Sequence, residues 1–336
     1  MAEPPPLLLT MGDPAGIGPE IAARAWLERE REGLPVFAYV GDPDDLSARA
    51  ADCGLDIRAE PSTPEMAAAL FSDALPVIAV QLARPSRAGL PEPANAPCVI
   101  KCIETAVALI HAGRGGGLVT NPIHKAGLYG AGFDYPGHTE FLGALAQRAW
   151  GRPARPVMML ACDELRVVPV TIHMPLAAVP GALTRELIVE TGRIVARELK
   201  DRFAVAAPRL ALSGLNPHAG EDGALGGEER TIIAPAIERL RADGIDAAGP
   251  YPADALFHAA ARARYDAALA MYHDQALIPI KTLAFDRAVN VTLGLPFVRT
   301  SPDHGTAFSI AGTGKASALS LIEAIKLAGR IARTAP

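Results

Sequence analysis

The sequence predicts an α/β protein built on a parallel sheet with helices on both faces. Short apolar runs, each long enough for a buried strand, alternate along the 336 residues with segments of helical periodicity. Alternation of strands and helices is typical of parallel sheets. Half of the residues are hydrophobic, enough for a sizeable core, and the length allows two domains or one large unit.

The first strand is predicted over residues 7–10 and leads into the turn GDPAGIGPE at 12–20. Pro19 and Glu20 suit the first turn of a helix, where a missing N–H costs little and a carboxylate meets the positive end of the dipole. A glycine-rich turn between strand and helix either cradles an anion or is simply a tight connection, and the second interpretation is favoured. The turn lacks the G-x-G-x-x-G spacing of a Rossmann dinucleotide site.

The remaining elements follow the same alternation. Strands are predicted at 36–40, 76–80, 118–120, 156–161, 166–172, 209–215, 266–272 and 288–294, and helices from about 43, at 95–111, 138–150, 184–200, 228–242, 255–264 and 315–333.

Residues 265–310 carry a dense set of polar side chains where apolar runs end. In chain order these are His273, Asp274, Lys281, Asn290 and Arg299. Ligands of open α/β sheets bind beyond the carboxyl ends of the strands. A buried strand with a solvated loop would explain any one of these residues, but it explains the whole set poorly.

Three histidines directly follow apolar, strand-like runs: His173, His218 and His273. A metal ion needs neutral imidazoles that converge from rigid elements, and three strand ends can provide them. One histidine at a strand end is more often structural, but three favour a divalent-metal site.

A further histidine, His138, is predicted at the start of a helix, next to Thr139. A cation is disfavoured at a helix N-terminus. We therefore expect His138 to be neutral and to donate to a bound anion, with Thr139 either beside it or acting as a helix cap.

Composition narrows the class of protein. The net charge of −5 without a basic run argues against a nucleic-acid partner. No apolar run approaches the roughly 18 residues of a membrane span, and the start lacks a signal-peptide pattern. Four cysteines without zinc-knuckle spacing suggest reduced thiols in a cytoplasmic protein.

Long motifs in this chain closely resemble the 4-hydroxythreonine-4-phosphate dehydrogenase family of pyridoxal phosphate biosynthesis. They are TNPIHK at 120–125, PGHTE at 136–140, LNPHAGE at 215–221, MYHDQ at 271–275 and NVTLGLPFVRTSPDHGTA at 290–307. The resemblance covers nearly the whole chain. It implies an isocitrate/isopropylmalate dehydrogenase-like α/β fold of two α/β/α lobes with an active-site cleft between them. Residues 1–135 with 301–336 would form the cofactor-side lobe, and 136–300 the metal, substrate and dimerisation lobe.

The resemblance also implies roles for residues. A divalent ion (zinc, magnesium or cobalt) would be bound by His173, His218 and His273. The substrate contacts implied are His138, Thr139, Lys281, Asn290 and Arg299. The family's enzymes are homodimers with a shared active site, whose metal ligands come from both chains.

The C-terminal loop DHGTAFSIAGTGKA is similar to the adenosine-binding loop of isocitrate and isopropylmalate dehydrogenases. This similarity implies NAD or NADP as the cofactor and accounts for a dehydrogenase without G-x-G-x-x-G. The contacts it implies are His304, Gly305, Thr306, Ala307 and Gly312.

The implied reaction is NAD(P)-dependent oxidation of 4-phosphohydroxy-L-threonine at C3, followed by decarboxylation to 3-amino-2-oxopropyl phosphate. Lys281, Asp254 and Asp274 are candidates for proton transfer, and Asp254 fits a helix N-cap equally well. A related branch that oxidises D-threonate or D-erythronate 4-phosphate shares the metal and phosphate residues. Two remoter alternatives are a metal-dependent phosphatase or aldolase, disfavoured by the nicotinamide-type loop, and a non-catalytic sugar-phosphate-binding protein, which would not need three histidines.

Overall fold

The computed structural model describes residues 4–130, 132–135 and 137–334. Pro136, the first residue of PGHTE, therefore lies outside the described residues. The backbone divides into two compact units: Met1–Pro156 with Leu295–Arg333, and Val157–Gly294 with Thr334–Pro336. Residues 137–156 and 295–300, which the sequence grouped with the middle segment, belong to the first unit.

The described residues form twelve strands. They are β1 (Leu7–Thr10), β2 (Phe37–Gly41), β3 (Ala59–Pro61), β4 (Leu75–Ala79), β5 (Gly117–Thr120), β6 (Val157–Ala161), β7 (Arg166–Pro169), β8 (Arg209–Ser213), β9 (Asp246–Tyr251), β10 (Ala267–Ala270), β11 (Val289–Leu293) and β12 (Arg299–Pro302).

The α-helices alternate with these strands. They are α1 (Gly18–Leu27), α2 (Arg29–Glu32), α3 (Pro43–Asp52), α4 (Ala67–Leu70), α5 (Ala96–His111), α6 (Lys125–Tyr129), α7 (His138–Trp150), α8 (Val179–Ala182), α9 (Arg185–Phe203), α10 (Ala234–Ala242), α11 (Ala259–Arg262), α12 (His273–Ala284) and α13 (Leu319–Thr334).

In the first unit the strands run in the order β3-β4-β2-β1-β5-β12, and the neighbours from β3 to β12 pair in parallel. This confirms the parallel sheet that the alternation predicts. Thr10 at the end of β1 lies in register with Thr120 at the end of β5. The loops that follow these two strands therefore leave the sheet at the same edge.

Helix α5 is the long apolar helix of the first unit. Together with the turn before it, this helix spans Pro93–His111, which has the length and mean hydropathy of a membrane span. No such span was predicted, because Lys101 and Glu104 interrupt the apolar run in the sequence. Val99, Ile103 and Val107 recur every four residues and are buried. The helix packs on β1, β2, β5 and α7 and is therefore a core helix of this unit.

In the second unit the strands run in the order β11-β6-β7-β10-β8-β9. From β7 to β9 the pairs are parallel, but β6 pairs antiparallel with both β11 and β7. The prediction of a parallel sheet throughout was therefore wrong here. A short loop closed by Cys162 N–H donating to Leu165 C=O joins β6 to β7, and only antiparallel neighbours can be joined so tightly.

The core of the second unit lies under α12. Ala276 and Ile280, one turn apart on this helix, are fully buried together with Leu160, Val167 and Ala268 from the sheet. Because α12 packs on β7 and β10, its first residue lies at the edge where these strands end. That first residue is His273.

Candidate functional site

The structure brings His173 and His273 together in the second unit. His173 follows β7 and His273 follows β10, and these strands are parallel neighbours whose ends meet at one edge. The two ring centroids lie 5.8 Å apart, and both rings line one small cavity together with Met174, Leu176 and Tyr272. The predicted convergence at strand ends is therefore present for this pair.

Asp274 is placed to orient the His273 ring. Its Oδ1 lies 2.7 Å from His273 Nδ1. When Nδ1 donates to this carboxylate, the proton is held there and Nε2 keeps its lone pair, which is the state that a metal-binding imidazole requires.

His218 lies in a different place. The chain continues past the end of β8 through residues 214–217 before it reaches His218, which lines an open cavity with Glu221, Asp222 and Arg230. Among the described residues, no three His, Cys, Asp or Glu side chains of the single chain are grouped to hold a metal ion. Within one chain the loop after β8 carries His218 away from the strand end, so the three-histidine site stays a prediction that requires ligands from two chains.

The loop around His218 has an unusual backbone. His218, Ala219, Glu221 and Asp222 have φ values of 52°, 53°, 42° and 54°, in the left-handed region. For residues with a Cβ this conformation costs roughly 1–2 kcal/mol each, so the surroundings must impose it.

His173 and His273 could provide two of the ligands of a divalent ion. Two imidazoles whose nitrogens lie ~2 Å from one ion have ring centres about 5–6 Å apart, which agrees with the pair His173 and His273. The carboxylate behind His273 adds the support typical of such ligands. Further ligands must come from outside this pair.

In the first unit, Arg299 begins β12 and is buried. It donates through a terminal guanidinium nitrogen to the Thr120 hydroxyl at 2.7 Å. Burial lowers the pKa of Arg299 to about 10, so the guanidinium remains charged at neutral pH. The positively charged side chain of Arg299 is thus held at the carboxyl end of β5.

His138 is the first residue of α7, after Gly137 at the N-cap. Burial first, and then the positive charges of Arg299 and Lys125, hold the pKa of His138 well below its ordinary value. The ring is therefore neutral, in agreement with the expectation from the sequence. Its Nε2 is buried and has no hydrogen-bond partner among the described residues, so a donor or acceptor is available to a ligand.

Sequence reasoning missed Lys125, although it lies in the quoted motif TNPIHK. A Cβ placed on Gly137 would lie 3.3 Å from Lys125 Nζ, which puts this ammonium beside the first turn of α7. Thr139 follows in the same turn and is partly exposed. His138, Lys125 and Arg299 therefore form a positive and hydrogen-bonding surface at this helix start.

Three other candidates lie in the second unit, each in its own setting. Lys281, on α12, has its ammonium 5.1 Å from the Phe285 ring centroid. Asn290 lies within β11, opposite Leu160 of β6. Asp254 is exposed in a 3-10 turn, Ala253–Ala255, and does not cap a long helix, since α11 begins only at Ala259.

The predicted cofactor loop packs on the start of α1. Ile17 N–H donates to the Thr306 carbonyl at 3.0 Å, and Gly312 N–H donates to the buried carboxylate of Glu20 at 2.6 Å. Ala307 is left-handed (φ 47°), while His304 and Gly305 are partly or fully exposed. The loop thus has a fixed backbone with accessible residues at its tip.

The glycine-rich turn before α1 is a tight connection and not an open anion cradle. Asp13 N–H donates to the Pro122 carbonyl and Gly16 N–H to the Asp13 carbonyl. The buried Arg49 donates to the carbonyls of Pro14 and Gly16. The interpretation favoured from the sequence therefore holds.

Comparison with known proteins gives consistent similarities. The chain matches the family described as "Pyridoxal phosphate biosynthetic protein PdxA" over residues 34–328. It is 58% identical over 335 residues to a 4-hydroxythreonine-4-phosphate dehydrogenase of Bradyrhizobium diazoefficiens (97% of each chain) and 56% identical over 333 residues to that of Xanthobacter autotrophicus (99% of this chain, 95% of the relative). The crystal structure of the Klebsiella pneumoniae 4-hydroxythreonine-4-phosphate dehydrogenase superposes with a TM-score of 0.88 at 38% identity, covering 98% of this chain and 99% of that one.

Proposed function

We infer that this chain, which belongs to the PdxA family of pyridoxal phosphate biosynthetic proteins, is a 4-hydroxythreonine-4-phosphate dehydrogenase. This conclusion rests on sequence identities of 56% and 58% to relatives of that name, over nearly their full length. The reaction is oxidation of the C3 hydroxyl of 4-phosphohydroxy-L-threonine, followed by loss of the C1 carboxylate as carbon dioxide. The product is 3-amino-2-oxopropyl phosphate.

We propose that the substrate phosphate binds at the start of α7. The guanidinium of Arg299 offers a fork of N–H donors that matches phosphate oxygens. His138, held neutral, donates from its ring, and the Thr139 hydroxyl and the Lys125 ammonium lie in or beside the same turn. These residues bind the phosphate and thereby orient the rest of the substrate.

We propose that His173 and His273 hold a divalent ion (zinc, cobalt or magnesium) and that Asp274 fixes the His273 ring. A bound divalent ion would supply Lewis acidity at the C3 oxygen, and a bound NAD or NADP would supply the hydride acceptor. The residues of the loop at 304–312 would contact the cofactor, namely His304, Gly305, Thr306, Ala307 and Gly312.

Side chains of the protein carry out the proton transfers to and from the substrate. The C3 hydroxyl loses its proton when the carbonyl forms. When C1 leaves as carbon dioxide, the electron pair of the C1–C2 bond stays on C2, which then takes up a proton. Lys281, Asp254 and Asp274 are the proposed groups for these transfers, and Asn290 is proposed to hold the substrate by hydrogen bonds.

We propose a homodimer in which His218 of one chain completes the metal site of the other. The separation of His218 from the pair His173 and His273 within one chain supports this arrangement. The second unit also exposes large apolar side chains, among them Leu176, Ile278 and Phe285 at 66%, 64% and 71%. A homodimer interface on this unit would remove such side chains from water. We further propose a cytoplasmic location, in keeping with four free cysteines.

The test of the proposed function is a paired assay on 4-phosphohydroxy-L-threonine. Reduced nicotinamide is followed by its near-ultraviolet absorbance, and inorganic phosphate is measured in the same sample. A dehydrogenase forms reduced nicotinamide and no phosphate. Phosphate release without nicotinamide reduction would indicate the phosphatase alternative and contradict the proposal.

A further inference from the structure

The loop that carries His218 is fixed by a buried carboxylate for which the proposed mechanism has no role. Glu229 is 6% exposed. Its Oε1 accepts the backbone N–H groups of Leu215 at 2.8 Å and Asn216 at 2.7 Å, and its Oε2 accepts from Asn216 Nδ2 at 3.0 Å. Three hydrogen bonds to this carboxylate therefore set the direction in which the chain leaves β8.

Glycines allow the loop to wrap closely around this carboxylate. A Cβ on Gly220 would lie 2.6 Å from Glu229 Oε2, and one on Gly214 would lie 3.1 Å from Glu229 Oε1. A Cβ on Gly226 would collide with the Asn216 amide. The absence of side chains at these positions therefore allows the loop to lie close to Glu229 and Asn216.

The loop needs such an anchor because its backbone is strained. His218 and three neighbouring residues with a Cβ are left-handed, and such conformations persist only where the surroundings impose them. Glu229 also opens a π-helical turn, Glu229–Ile233, and turns of this kind occur frequently at functional sites. Short, partly buried hydrogen bonds thus join Glu229 to the start of the strained loop.

We propose that Glu229 is a positioning residue, which holds His218 in the conformation needed to ligate a divalent ion of a second copy of this chain. In this proposal Glu229 acts through the backbone of Leu215 and Asn216 and is not itself a ligand of the metal. The inference rests on the proposed function, because it takes His218 as a metal ligand.

The test compares Glu229→Gln with Glu228→Gln in the full-length protein. Glu228 is the matched control, since its Oε2 accepts from the same Asn216 Nδ2 at 2.8 Å and an amide oxygen can keep that single bond. At position 229, one amide oxygen cannot replace two carboxylate oxygens, and the new NH2 group faces the Asn216 donor. Co²⁺ is titrated into the metal-free proteins, and binding is followed by its visible d–d absorption.

We expect Glu229→Gln to weaken Co²⁺ binding about 10- to 100-fold, as the loss of a ligand's supporting group typically does, and to change the d–d spectrum. Glu228→Gln should bind like wild type. Hydrogen exchange gives a readout that needs no metal: the amides of Leu215 and Asn216 should exchange faster in Glu229→Gln, while those of β8 and β10 stay protected.

The outcomes separate this inference from the proposed function. A wild-type protein that binds no Co²⁺ overturns the proposed metal site, and this inference with it. Wild type that binds Co²⁺ no more tightly than a folded Glu229→Gln variant overturns the inference alone. Should Glu229→Gln fail to fold, Glu229→Asp, which keeps the charge on a shorter side chain, is compared by the same two criteria.

Discussion

The guanidinium of Arg299 lies 2.7 Å from the hydroxyl of Thr120, and both residues are buried. The contact joins the first residue of β12 to the last residue of β5. The contact with Thr120 fixes the position of the guanidinium, whose planar fork of donors matches the oxygens of a phosphate. This geometry supports Arg299 as the main phosphate ligand and makes the role testable.

Arg299→Lys should raise KM for the phosphorylated substrate about 10- to 100-fold, because Lys keeps the charge but loses a charge-assisted hydrogen bond. The effect should fall on KM and not on kcat if the phosphate is held equally in ground and transition states. Steady-state kinetics with the dephosphorylated analogue is the control, since it has nothing for the fork to bind. An unchanged KM, or equal damage with that analogue, would show that Arg299 is structural.

Asp274→Asn should weaken divalent-metal binding about 10- to 100-fold, because an amide cannot hold the His273 Nδ1 proton as a carboxylate does. Asp286→Asn is the control, since Asp286 is exposed near the other end of the same helix. Metal affinity is measured by competition with a chelator. Equal affinities for the two variants would remove Asp274 from the site.

The neutral His138 should make stability depend on pH. Its pKa is lowered in the folded protein, so below the unfolded value of about 6.5 the unfolded chain binds a proton that the folded chain does not. The free energy of unfolding is therefore not reduced by His138 above about pH 6.5. Below that pH it falls by at most about 1.4 kcal/mol for each pH unit.

His138→Gln should therefore flatten the pH dependence of the urea midpoint between about pH 5 and 7. His111→Gln is the matched control, at an exposed histidine that ends α5. Parallel pH profiles for wild type and His138→Gln would mean that the pKa of His138 is not lowered in the folded protein.

A shared active site predicts complementation between inactive variants. Dimers reassembled from equal amounts of His273→Ala and His218→Ala chains should recover about a quarter of wild-type activity, because half are mixed and each mixed dimer has one site with all three histidines. His273→Ala with His173→Ala should recover nothing, since both lesions lie on the same side of the shared site. Recovery in neither mixture would indicate a site built from one chain.

Much of the fold could be predicted because local signals were strong. The strand Leu7–Thr10 has its predicted limits. The helix after Thr184 has its predicted start, where the Thr184 hydroxyl accepts the Leu187 N–H at 3.1 Å, but it continues to Phe203, beyond the predicted end near Lys200. The antiparallel β6–β7 hairpin was missed, although the four residues between Ala161 and Arg166 leave no room for a crossover helix.

The candidate site was predictable where it depends on strand ends and not where it depends on loop conformation. His173 and His273 meet because parallel neighbouring strands end together. The position of His218 depends on left-handed residues that follow Asn216, whose backbone N–H donates to Glu229, thirteen positions further along the chain. No pattern in the sequence reports such a contact. Lys125 was hidden for a similar reason, because its place beside Gly137 depends on how α6 and α7 are arranged.

The substrate is tested most directly by the turnover of 4-phosphohydroxy-L-threonine measured beside D-threonate and D-erythronate 4-phosphates, with NAD and with NADP. We expect kcat/KM to be highest for 4-phosphohydroxy-L-threonine and one carbon dioxide to be released for each nicotinamide reduced. A higher kcat/KM for either sugar-acid phosphate, or nicotinamide reduction with none of the three substrates, would contradict this expectation.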